Sequence, residues 1–148
     1  MTGWQVRRSR ADTGGVTVFV AVCVLVLIGI IGIAVDGGGT MAATERADYV
    51  AGEAARAGGQ AIDPAQAVTG RAIAVDPQDA QAAAQAYLRS VGSVGAVSVS
   101  GDGKTLTVTV TGTYDTAFLS AVGIGSLQVS GRGTATLLHG VTAPDEGP

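Results

Sequence analysis

The sequence predicts an α+β protein held in a membrane: an N-terminal transmembrane helix continues into an Ala-rich helix, and further helices pack on a small antiparallel three-stranded sheet. Three observations predict it. Of 148 residues, 47% are hydrophobic and mean hydropathy is +0.38, too apolar for an evenly mixed soluble chain. The apolar excess is concentrated in a charge-free run over residues 16–35. Beyond residue 92 the apolar spacing changes from about 3.6 to 2, the signature of helix giving way to strand.

The first element is the run VTVFVAVCVLVLIGIIGIAV, residues 16–35. At about 1.5 Å per residue it spans roughly 30 Å as a helix, the thickness of a bilayer's hydrocarbon core. Its β-branched Val and Ile would favour strand in water, but in lipid only a helix satisfies every backbone group within one segment. Arg7, Arg8 and Arg10 precede it, and six basic against eleven acidic residues follow it. The positive-inside rule therefore places residues 1–15 in the cytoplasm and the rest outside. Asp12 suits the positive end of the helix dipole as a local cap. A secretory signal peptide would read some of the same residues, ending at Gly32-Ile33-Ala34, but its apolar core is usually about 7–15 residues, so the length favours a retained anchor. Cys23, mid-span and behind Val22, reads as apolar filler.

Residues 36–62 come next. Gly37, Gly38 and Gly39 predict a hinge or a close approach by another helix, with continuous helix as the alternative. Ala43, Ala47, Val50, Ala51, Ala54, Ala55 and Ala61 then recur near helical spacing, giving a small-residue face opposite Glu45, Asp48, Glu53 and Arg56. Asp36, at the outer membrane edge, is a candidate for pairing with a partner.

Residues 63–140 read as the outer domain. Asp63-Pro64 starts a short turn ending by Gly70. Asp76-Pro77 starts a helix with Ala80, Ala83, Ala84, Tyr87, Leu88 and Val91 on one face and Gly92 as its stop. Val97 and Val99 alternate with serines, and Leu106, Val108 and Val110 alternate with threonines, around a Gly101-Asp102-Gly103-Lys104 hairpin turn. A third strand faces inward with Leu127, Val129, Gly131, Gly133, Ala135 and Leu137; the two glycines leave room for a helix to approach. Asp115 to Gly123 reads as a short connecting helix capped by Asp115, and residues 141–148 as a frayed tail.

Composition excludes most chemistry. One Cys and one His, His139, make neither an intrachain disulfide nor a metal cluster, so neither metal nor any other cofactor is expected. The net charge of −3, with no basic run outside the tail, argues against nucleic acid. Gly103-Lys104-Thr105 imitates the end of a P-loop, but Ser98 stands where its first glycine belongs and the turn joins strand to strand. Gly92-Ser93-Val94-Gly95 lacks the spacing of a nucleophile elbow. No catalytic residue is assigned, and an enzyme is not expected.

The order Gly15, a Val-rich span, Ala34-Val35-Asp36-Gly37, then Arg46-Ala47-Asp48 and the run Ala51 to Ala55 resembles the TadE/TadG-like proteins of Flp (tight-adherence) pilus assembly, over about residues 7–60. The resemblance implies a membrane-anchored structural or assembly component of minor-pilin type. It also implies Gly14 and Gly15 as processing positions and other pilus proteins as partners, in homo- or hetero-oligomers built through the N-terminal helix. Helix-packing or partner contact would fall to Asp36, Ala43, Ala47, Asp48, Ala51, Ala54 and Ala55. The fifth residue after Gly15 is Val20, and after Gly14 it is Phe19, where such pilins commonly carry Glu; an anchored assembly component is thus favoured over a processed major pilin. The competing reading is a single-pass anchored binding or sensor module of the cell envelope that does not polymerise. Membrane lipid is a partner in either.

Overall fold

The computed structural model describes residues 12–61 and 75–137. Its first element, α1, is one α-helix over Asp12–Gly59, about 72 Å long at the standard rise. The hinge expected at residues 37–39 is not there: the helix runs through all three glycines. Each Gly costs about 1 kcal/mol relative to Ala in a helix interior. The Thr40 hydroxyl donates to the Asp36 carbonyl at 2.7 Å and the Thr44 hydroxyl to the Thr40 carbonyl at 2.9 Å, bonds that satisfy the hydroxyls without strengthening the helix. What offsets the cost is the domain docked on this side of the helix, with the Tyr114 ring seated against Gly39. Ala61 lies just past the helix end. The basic tail, the Asp63-Pro64 turn, His139 and the C-terminal tail lie outside the described residues.

Helix α2 covers Pro77–Ser90. Its start is dictated locally: the Asp76 side chain accepts the Gln78 amide at 2.7 Å, and Pro77, lacking an N–H, occupies the first turn. Its end is local as well, since Val91 is the C-cap and Gly92 follows at φ +65°. Ala80, Ala84 and Leu88 are buried and Tyr87 packs beside them, whereas Val91, expected on the same face, is carried out into solvent by the cap.

Three strands, β1 (Val94–Val99), β2 (Thr105–Asp115) and β3 (Ser126–Thr136), form an antiparallel sheet in the order β1-β2-β3. The β1–β2 turn has Gly103 at φ +70°, and the Asp102 carboxylate accepts the Ser100 hydroxyl and the Lys104 amide. Register sets the core. Leu106 lies opposite Ala135, Val108 opposite Gly133 and Val110 opposite Gly131, so the helix-facing side is bulky on β2 and small on β3. Helix α1 sinks into the low side: a Cβ on Gly131 would overlap the Ala47–Asp48 backbone, and one on Gly133 the Ala51–Gly52 backbone. Ala51, Ala54 and Ala55 meet Ala80 and Ala84 of α2 and Leu106 and Val108 of β2 in one buried cluster. Full burial of a Leu106-sized side chain contributes about 1.5–3 kcal/mol.

The connecting helix expected at residues 115–123 is replaced. Asp115 ends β2, which runs on through Thr113 and Tyr114 because both pair with β3, opposite Gln128 and Leu127. Only a 3-10 turn, Leu119–Val122, follows, closed by Gly123 at φ +91°. Asp115 does not cap it; the cap comes from far away in the chain.

Candidate functional site

Asp36 is fully buried, although it sits one residue past the apolar run. One carboxylate oxygen accepts the Ala117 amide at 2.7 Å and faces the Tyr114 hydroxyl at 3.5 Å; the other accepts the amides of Phe118 at 3.0 Å and Leu119 at 2.7 Å. These amides open the 3-10 turn, whose first N–H groups have no partner within the turn itself. A carboxylate is the acceptor best matched to several converging N–H donors, because charge-assisted bonds are shorter and stronger than neutral ones. Burial pushes the Asp36 carboxyl up, but the amides of Leu119, Ala117 and Phe118, with the Tyr114 hydroxyl, outweigh it and hold the group below its ordinary 3.8. Burial first, and then the Asp36 charge, raise the Tyr114 phenol, which stays a neutral donor. Gly39, one turn above, leaves the space the Tyr114 ring occupies.

Asp48 makes a second clasp of the same kind. Its carboxylate accepts the Arg132 amide of β3 at 2.8 Å. It therefore does not simply face water with Glu45, Glu53 and Arg56, although Glu53 and Arg56 do form a surface ion pair at 3.6 Å. Between the clasps, Ala47 is buried against β3 and Ala43 half-buried; Ala51, Ala54 and Ala55 continue the contact into the core. The small-residue face of α1 is thus occupied by the chain's own sheet. The pairing anticipated for Asp36 is likewise made within the chain.

The other half of α1 has no such cover. Val18, Phe19, Leu25 and Ile33 are each about two-thirds exposed, and apolar side chains project all round from residue 16 to residue 35. Gly14 and Gly15 lie in the first turn of this half with open space about them. By length and composition this helix can cross a membrane. One part of the domain reaches back along it. Phe118 lies over Gly32, where an added Cβ would come within 2.8 Å of the Phe118 Cβ.

Sequence reasoning singled out Asp36 and Asp48 but not what they bind. Tyr114 and the amides of residues 117–119 and 132 lie 78 to 84 residues away along the chain, and backbone donors carry no residue-type signal. Among the described residues no three His, Cys, Asp or Glu side chains converge as a metal site requires.

Residues 14–61 match the Tad family model, that of TadE/G-like Flp pilus-assembly proteins. The matched segment is α1 from its third residue on and the two residues after it, carrying both Asp36 and Asp48; the sheet and α2 lie beyond it. No curated protein and no solved structure matches the chain.

Proposed function

We propose that this protein is a membrane-anchored structural component, of minor-pilin type, in a Flp/Tad-type pilus or a related secretion apparatus. Residues 1–15 face the cytoplasm and the α+β domain faces outward. The observation that carries the reading is the split character of α1: a single unbroken helix, exposed and apolar all round over residues 16–35, is fixed by Asp36 and Asp48 to a folded domain thereafter. Such a helix must be covered by lipid or by other apolar helices, because so large an exposed apolar surface is not sustained in water. The TadE/G-like match over the same helix supports a pilus-assembly setting. Binding and positioning, not catalysis, are the roles these residues can perform.

The test is photo-cross-linking of the full chain in its native membrane, with a benzophenone side chain at Ile31 or at Tyr49. Both positions are exposed, one on the apolar half and one on the domain half. An assembly component gives covalent adducts with itself or with other pilus proteins. A non-polymerising binding module gives lipid adducts at Ile31 and no such protein adducts at either position, which would overturn the proposal. Intact mass of the same extract reports processing: the full chain, less Met1, means a retained anchor, and loss up to Gly14 or Gly15 means cleavage in the first turn of α1.

A further inference from the structure

The β2–β3 connection is unlike the rest of the domain surface. From Thr116 to Gly131 there is no Asp, Glu, Lys or Arg, although charged residues flank the stretch at Asp115 and Arg132. Its tip exposes Phe118, Val122 and Ile124, with Val122 73% exposed. The one charge beneath it, Asp36, is sealed off by the three amides. Several of the tip's polar groups are satisfied internally. The Ser120 hydroxyl donates to the Ala117 carbonyl at 3.0 Å and the Thr116 hydroxyl to the Ile124 carbonyl. The amides of Ala121, Gly123 and Ile124 bond within the turn. Each such bond lowers the cost of placing irregular backbone in a low-dielectric medium.

Position completes the argument. The tip does not point away from the anchor; it lies along it. Between them runs an open apolar cleft of about 420 Å³, with Leu25, Ile28 and Gly29 of α1 on one wall and Phe118, Ala121 and Val122 on the other. Leu25 lies eleven residues below Asp36, roughly 16 Å along the helix. A helix with residues 16–35 in hydrocarbon brings a tip packed on Gly32 into the same leaflet. From this juxtaposition we infer that residues 116–125 form a second membrane contact, dipping into the outer leaflet with lipid acyl chain filling the cleft and Tyr114 at the headgroup level. The inference rests on the anchoring reading above. Its occupant is bilayer lipid, argued from the continuity of the tip's apolar surface with that of the span, as in other interfacially seated segments.

The test uses the full chain with Trp4 replaced by Phe, reconstituted in phosphatidylcholine–phosphatidylglycerol vesicles whose acyl chains carry bromine. Single tryptophans are placed by Val122→Trp, Ile28→Trp and Val94→Trp; Val94 is a 74% exposed domain position that does not line the cleft. The expected result is blue-shifted emission at 122, loss of about half its intensity to the brominated lipid as at 28, and little loss at 94. Quenching at 28 with red emission and iodide quenching at 122 would overturn the second contact while leaving the anchor intact. Shielding of 122 from both iodide and bromine would also overturn it, in favour of a second protein copy in the cleft. Iodide quenching at both 28 and 122 without bromine quenching at either would sink the anchoring reading and this inference with it. Because Val122 is exposed, its replacement does not threaten the fold.

Discussion

The two halves of α1 meet opposite requirements with the same backbone. Below Asp36, every direction is apolar, side chains are large and β-branched, and apart from the tip at Gly32 the chain's own domain offers little cover. Above it, the residues are small, the face toward β3 is buried to the backbone, and two carboxylates hold the helix to amides of the domain. Bulk serves a helix that must be solvated by something outside the chain. Smallness serves one that must lie close to its own sheet. Asp36 stands where the first requirement becomes the second, and its buried charge is tolerated because the domain brings three N–H groups to it.

The contrast breaks most severely if bulk is moved into the upper half. Ala47→Leu with Ala51→Leu should destabilise the docked domain by about 4 kcal/mol together, with coupling between neighbouring sites. Denaturant unfolding in mild detergent measures it. Membrane insertion should be unchanged while complex formation is lost, and a double variant that still assembles would show that the docked helix is dispensable. Gly131→Val attacks the same contact from the sheet side and should cost about 3 kcal/mol, since its side chain meets helix backbone that cannot swing aside. An unfolding midpoint equal to that of the parent would refute this close approach.

Asp36→Asn keeps shape but loses charge. Hydrogen exchange at Ala117, Phe118 and Leu119 should accelerate about tenfold as the turn opens locally. The same amides report pH. A carboxyl whose folded value lies below its ordinary 3.8 contributes stability that is present at neutral pH and is lost as pH falls through the folded value. Their protection, corrected for intrinsic exchange, should hold from pH 7 to about 5 and weaken below about 4 in the parent, with no such acid loss in the Asn variant. Asp102 is shifted in the same direction by Ser100 and Lys104, so local amides are a cleaner readout than global stability. The smallest effect belongs to the lower half: Leu25→Ala should change domain stability by no more than about 0.5 kcal/mol. A larger change in unfolding would mean that the span, too, is part of the domain's core.

Much of this architecture is legible in local chemistry. Asp76-Pro77 and Gly92 bracket α2, alternation marks the strands, the Asp-Gly pair marks the hairpin, and Gly131 and Gly133 signal the low side of the sheet. What was not legible depends on partners distant in sequence. Three consecutive glycines carry a hinge signal by propensity, but docking against Tyr114 and β3 overrides it. Asp115 before an apolar stretch looks like a helix cap; strand pairing with Ser126 claims it instead, and the cap for the following turn arrives from Asp36. The small-residue face announced close packing without saying on what.

The clasp at Asp48 also bears on how copies of the molecule can join. β3 is the last strand of its sheet, and its Arg132 amide, which an added strand would need, is already taken by the helix lying over that edge. No helix carboxylate takes an amide of the β1 edge among the described residues, so that edge is the more open of the two. Two copies meeting there, edge to edge, would form a single continuous sheet with a clasped β3 at either end. Strand pairing in this molecule therefore favours a couple over a chain, since each free end of such a sheet already has its Arg132 amide turned to a helix.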